Sequence, residues 1–217
     1  MAVGTIQLPA ESAGAGATLH VTHWLPEGLP KAVVLLAHGY AEHAGRYGHV
    51  AKRLIDAGYA VYAIDHWGHG LSDGEGGFVP RFSAFTDGMA ELLTLVEVNH
   101  GTTPRLLLGH SMGGLISTLF LIERQQAFAA AALSGPAIVP AAPPSRFTVW
   151  ISHFLSRFFP RLGVLSLDAN GVSRVHVTVS PEHVDAFRAL FEQIRARYER
   201  RYTTRFDVAF SVQKPAT

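Results

Sequence analysis

Cysteine is absent from all 217 residues. That excludes disulfides, thiolate nucleophiles and cysteine-ligated metals, and it fits a reducing compartment. Charge of either sign is also scarce: 16% of residues are charged and the formal net charge is +1. Such a balance gives no electrostatic footprint for nucleic acid. The one locally basic run, RARYERRYTTR at 195–205, reads as the solvated face of a helix rather than a nucleic-acid or membrane patch. No apolar run approaches the ~18 residues that span a bilayer. The opening MAVGTIQLPAESAGAGATL lacks the basic start and apolar core of a secretory signal. A cytoplasmic location is the expectation. Phosphate-binding signatures are missing as well, because GAGAT has neither the spacing nor the preceding strand of a dinucleotide loop.

What is present is enough apolar sequence, nearly half of all residues, for one sizeable core but not for two full domains. From Thr18 to about Pro136, short apolar runs alternate with helical patterns. TLHVTHWL, KAVVLLAHG, YAVYAIDH, RLLLG and FAAAALSGP read as strands. RYGHVAKRLIDAG, FSAFTDGMAELLTLVEVNHG and GGLISTLFLIERQQ read as helices, the first ending at a C′ glycine, Gly58. Strand and helix in alternation with short links predict right-handed crossovers and a doubly wound, mostly parallel α/β sheet. In such sheets chemistry collects at the carboxyl ends of the strands. Here those ends carry HGYAEHAGRY, DHWGHGLSDG, GHSMGG and SGPAI.

Gly109-His110-Ser111-Met112-Gly113 fits G-x-S-x-G between an apolar strand and a helix, the context the motif requires. A serine on that strained turn forces neighbouring backbone together, so the flanking positions must be glycine. The turn would present the hydroxyl above the sheet, with free N–H groups of the following helix facing developing negative charge. A second oxyanion donor is expected from the loop after an earlier strand, where His38-Gly39 closes a buried run and the Tyr40 amide could face that of Met112. A merely structural glycine turn is the alternative at both places.

HGYAEHAGRY, DHWGHGLSDG and GHSMGG, in this order, resemble the α/β-hydrolase family of monoacylglycerol lipases, lysophospholipases and serine aminopeptidase-like hydrolases, over about residues 19–174. The resemblance implies a serine esterase without a cofactor. Ser111 would be the nucleophile, and the amides of Tyr40 and Met112 the oxyanion hole. His38, Gly39, Glu42, Gly109, His110 and Gly113 would be supporting residues, with Arg46 and Tyr47 bracing the oxyanion loop beside Glu42. It implies a small lipid or ester substrate and a lipid-facing cap capable of transient membrane-surface contact. The division expected is a core over 1–136, a partial cap over 137–171 and a divergent tail over 172–217. The proline-rich AIVPAAPPSRF and aromatic FTVWISHFLSRFFPRLG would build the cap; a core helix is the other reading.

A serine hydroxyl needs a histidine to take its proton and a carboxylate to orient that histidine. The family implies both on late strand ends, but the tail does not continue the hydrolase pattern. VHVTVS and RFDVAFSV read as strands, with a helix opening at Ser180-Pro181 between them. HVTVSPEHVDAF and FDVAFSVQKPAT resemble instead part of an uncharacterised bacterial family with a nucleotidyltransferase-like fold. The expectation is a truncated or chimeric hydrolase, its sheet incomplete at the C-terminal end and prone to self-association through an unpaired edge. His176 and Asp207 are the substitute base and acid on offer. His183 and Asp185 lie too close along one helix to pair. A metal-dependent alternative is disfavoured, since HGYAEH lacks the H-x-x-E-H spacing.

Overall fold

The structure is a computed structural model that describes residues 1–76 and 78–138, scattered positions between 145 and 157, and the strands Ser173–Val179 and Phe206–Val212. The last two are described as backbone. The remainder of the expected cap and the helix expected after Ser180 lie outside the described residues.

Eight strands form one sheet in the order β1-β2-β4-β3-β5-β6-β7-β8. They are β1 (Ala2–Gln7), β2 (Thr18–Trp24), β3 (Val33–Ala37), β4 (Ala60–Ile64), β5 (Arg105–His110), β6 (Ala130–Ser134), β7 (Ser173–Val179) and β8 (Phe206–Val212). β4, β3, β5 and β6 are parallel, which is the arrangement expected from the alternation of strands and helices. Every residue of β3 and β4 is buried, because a parallel strand covered on both faces needs an uninterrupted apolar run. Helices α1 (Gly48–Asp56), α2 (Ser83–His100) and α3 (Met112–Arg124) cover the two faces of the sheet. Strand alternation divides the core accordingly. Val33, Leu35, Ala37 and Leu107 pack beneath α2 and α3 with Phe85, Met89, Leu92, Ile116 and Phe120. Val34, Leu36 and Leu106 pack with Ala51 and Leu54 of α1 on the opposite face. Gly58 ends the α1 region at φ +90°, a left-handed position that glycine occupies at little cost.

β1 has no counterpart among the expected strands. It pairs antiparallel with β2 at the sheet edge and is exposed along nearly its whole length, so it carries no hydrophobic periodicity to read. The two tail strands form where their sequences predict. Past β6, however, strand direction reverses: β7 pairs antiparallel with β6, and β8 runs parallel to β7. The outer edge of β6 is therefore paired, and β1 and β8 are the terminal strands. Among the described residues, no helix is long and apolar enough to cross a membrane.

Leu35 sits fully buried on the central strand. Leu35→Ala should lower unfolding stability by about 2–5 kcal/mol through lost burial and a residual cavity, read as a reduced midpoint in chemical denaturation.

Candidate active site

Ser111 stands between the end of β5 and the first residue of α3, with φ 52° and ψ −115°. A left-handed serine costs roughly 1–3 kcal/mol and persists only where its surroundings over-determine it. Here they do. The Ser111 amide donates to the Ser134 carbonyl at 2.9 Å, and the Ser111 carbonyl accepts from Leu115 at 3.2 Å and Ala137 at 3.0 Å. A Cβ on Gly109 would lie 2.5 Å from the Gly113 carbonyl oxygen, and one on Gly113 would lie 2.5 Å from the His38 carbonyl oxygen. Both glycines are therefore steric requirements of the turn, as the motif predicts. Ser134 was not foreseen as part of the site. Its carbonyl braces Ser111 and its hydroxyl meets His110 Nδ1 at 3.1 Å, and nothing in the spacing of LSGP announces either contact.

The loop after β3 lies against this turn: a Cβ on Gly39 would be 3.3 Å from Ser111 Cβ and from His110 Cδ2. Glu42 organises the loop. Its Oε2 accepts the Gly39 N–H at 3.0 Å and the Tyr47 hydroxyl at 2.6 Å, while Arg46 stands 3.9 Å from Oε1. Burial pushes the Glu42 carboxyl up, but the bonds from Tyr47 and Gly39 and the nearby His110 and Arg46 outweigh it and hold the group below its ordinary range. Burial and the same carboxylate raise Tyr47. Ala41 takes a left-handed φ of 56°, which turns the loop past Tyr40. Among the described residues, the amides of Tyr40 and Met112 donate no hydrogen bond, the condition expected of two oxyanion donors.

Beneath the loop the histidines are structural. His38 is fully buried; its Nδ1 lies 2.7 Å from the Gly39 carbonyl and its Nε2 accepts the His66 amide at 3.0 Å. Desolvation lowers its pKa to about 4. His66 is buried 4.4 Å from it, ring to ring, with neither ring nitrogen hydrogen-bonded among the described residues, and burial holds it neutral. His69 edges both Tyr40 and Phe85. Asp65 ties the loop after β4 to the loop after β3, accepting from Ala44 at 2.7 Å and Leu71 at 2.9 Å. Burial lowers His110 as well. Among the described residues, no three histidine, aspartate or glutamate side chains converge in a way that could hold a metal ion.

The serine's expected partners are placed by backbone register. His176 pairs with Leu133 and Ala209, in the lateral row of Gly109; Asp207 pairs with Arg174. His176 and Asp207 thus occupy diagonal positions of the β7–β8 ladder. Ladder arithmetic sets His176 two strands over and two residues along from Ser111, about 12 Å between Cα atoms.

A left-handed serine is thus locked between two obligatory glycines. The serine aminopeptidase S33 family profile matches residues 28–204. The chain belongs to this family of α/β-hydrolases. It is 42% identical over 166 residues to a monoacylglycerol lipase of Mycolicibacterium smegmatis, covering 76% of this chain and 58% of that protein. It is 37% identical over 161 residues to the human monoglyceride lipase, covering 73% and 53%. This S33 chain thus spans a little over half the length of those curated relatives. Among solved structures, a soluble variant of the Saccharomyces cerevisiae monoglyceride lipase superposes with a TM-score of 0.61 at 22% identity, covering 78% of this chain and 56% of that one. The Paleococcus ferrophilus monoacylglycerol lipase gives 0.59 at 24%, covering 89% and 77%. At such identities the structural likeness speaks for the fold. The S33 match also runs past Arg174, into the segment where the motifs fade.

Two predictions follow from this geometry. Gly113→Ala should destabilise by about 3 kcal/mol, since its methyl meets β3 backbone rather than a movable side chain, measurable by denaturant unfolding. Because His38 is neutral in the fold down to about pH 4 but protonates near 6.5 when unfolded, the unfolded chain binds the extra proton within that window. Stability is then fully present above about pH 6.5 and falls by on the order of 3 kcal/mol as pH drops to about 4. Thermal melts across that range should show the loss, and His38→Asn should make it shallower while the shares of His66 and His110 remain.

Proposed function

We propose that this S33 hydrolase cleaves carboxylic esters of monoacylglycerol or lysophospholipid type through a serine acyl-enzyme. The observation that carries the reading is Ser111, a non-glycine residue at φ 52° at the amino end of α3. In the proposed reaction Ser111 Oγ bonds to the ester carbonyl carbon and passes its proton to a base. The carbonyl oxygen becomes an oxyanion held by the Tyr40 and Met112 amides. The carbon–oxygen bond to the alcohol then breaks, and the alcohol leaves with that proton. Water repeats the addition, gives a proton to the base, and frees the acid and Ser111. His176 is put forward as the base, taking the proton through one water across the ~12 Å between Cα atoms, with Asp207 as its orienting carboxylate, supported by their adjacent positions in the β7–β8 ladder. A lipid substrate is supported by the S33 relatives named above and by an exposed aromatic ladder. In it Phe147, Trp150 and Phe154 stack at ring separations of 6.2 and 6.1 Å.

A second reading, a chain that keeps the elbow without the chemistry, is favoured by one observation. Because β7 is reversed, the chain leaves it at Val179, beside Ala130, on the sheet edge opposite Ser111. The carboxyl ends of late strands, where base and acid sit in this fold, are then remote from the nucleophile.

Fluorophosphonate labelling read by intact mass, with Ser111→Ala as control and a short-chain p-nitrophenyl ester assayed in parallel, separates the two. Under the first reading one label is expected per chain, with ester turnover lost in both Ser111→Ala and His176→Ala. A folded sample that takes no label would establish the second.

A further inference from the structure

We propose that the Tyr40 hydroxyl and His69 Nε2 form a recognition pair for a hydroxyl of the substrate, a specificity determinant separate from the backbone amides. Its effect on turnover rests on the ester-hydrolase reading; its binding chemistry does not. Tyr40 follows Gly39, where a Cβ would lie 3.3 Å from Ser111 Cβ, so its side chain leaves the loop after β3 one residue from the nucleophile. The residue is 47% exposed. Its ring stands edge-on to His69 of the loop after β4, with 5.7 Å between centroids.

His69 is held in place without any substrate. Its amide donates to the His66 carbonyl at 2.9 Å, and its ring also packs against His38 at 5.3 Å and Phe85 at 6.4 Å. Nδ1 lies 2.8 Å from the Trp67 carbonyl oxygen, which can only accept. In the neutral ring the single proton is therefore on Nδ1, and Nε2 carries a lone pair. Among the described residues neither Nε2 nor the Tyr40 hydroxyl has a hydrogen-bond partner, and Nε2 is not sealed from solvent. A hydroxyl satisfies both, since it has one proton to give Nε2 and lone pairs to accept from the phenol. A plain alkyl group would strip water from the two and return nothing, which is how a site built to bond a hydroxyl rejects the analogue lacking one. An ionised phosphate has no proton for a bare nitrogen. It also calls for cationic partners, and segments 38–47 and 65–72 hold no lysine and one arginine, Arg46, which stands 3.9 Å from the Glu42 carboxylate. The pair therefore selects esters whose alcohol keeps a free hydroxyl over alkyl esters of the same acid.

The quantity to measure is the ratio of kcat/KM for a short-chain monoacylglycerol to that for the methyl ester of the same acid. Tyr40→Phe removes the hydroxyl without touching the backbone amide, and His69→Phe removes the acceptor while keeping a ring against Tyr40. Each should lower the ratio about two- to tenfold, the range of one neutral hydrogen bond. The double variant should lose less than the product of the two, because one substrate group links them. Equal losses on both esters would mean a structural role and overturn the pair, as would a fully multiplicative double variant. Binding is read separately on histidine-labelled Ser111→Ala protein by long-range proton–nitrogen correlation at pH 8, with the His69 signals identified by their loss in His69→Phe. A protonated Nδ1 and a bare Nε2 are expected, and Nε2 should move upfield when the monoacylglycerol is added but not with the methyl ester. An Nε2 that stays unmoved at saturating monoacylglycerol overturns the proposal. Wild-type protein that takes no fluorophosphonate label would sink the hydrolase reading, while the Nε2 shift still decides this one. Should His69→Phe fail to fold, the Tyr40→Phe ratio and the difference in Nε2 shift between the two esters suffice.

Discussion

Ser111 can hold a left-handed backbone only because β5 turns into α3 in less space than side chains allow. Gly109 and Gly113 face each other there, and Gly113 rests on the carbonyls of Ala37 and His38 at the end of β3. Two neighbouring parallel strands are thereby locked at the level of the turn. The register that pairs Ala37 with Gly109 is what delivers the loop after β3 to the serine. Displace β3 by one residue and its buried sides exchange faces, so the core and the site are specified by the same alignment.

Around that contact the polar groups are arranged to be neutral or satisfied. Glu42 keeps its charge because Tyr47 and Gly39 supply hydrogen bonds that burial alone would not repay. Asp65 accepts two backbone amides, and His38 sheds its charge. The result is a low-dielectric bed beside the serine in which, among the described residues, the Tyr40 and Met112 amides have no acceptor. Donors fixed before the reaction begins cost no reorganisation when charge develops.

Much of this was legible in the chain. The uninterrupted runs VVLLA and AVYAI announced buried parallel strands, and G-x-S-x-G between a strand and a helical pattern announced the elbow. The roles of His38, Asp65 and Ser134 were less so, because each acts through a partner distant in sequence, up to 28 residues for His38 and His66. Spacing rules see only local faces. β1 escaped because an exposed edge strand buries too little to impose a pattern. The reversal at β7 escaped because alternation identifies a strand without giving its direction. VHVTVS alternates equally well either way, and a link of nearly forty residues from β6 leaves both directions open.

Strand order also bears on how the chain is made. β3 lies between β4 and β5, so when it leaves the ribosome one neighbour follows within 23 residues, from Ala37 to Ala60, and the other only after 68, from Ala37 to Arg105. Until β5 is synthesised, five consecutive apolar residues have a single pairing partner. A nascent chain of this order is most open to chaperone capture while α2 is being made, and sheet closure waits on vectorial synthesis rather than on local helix formation.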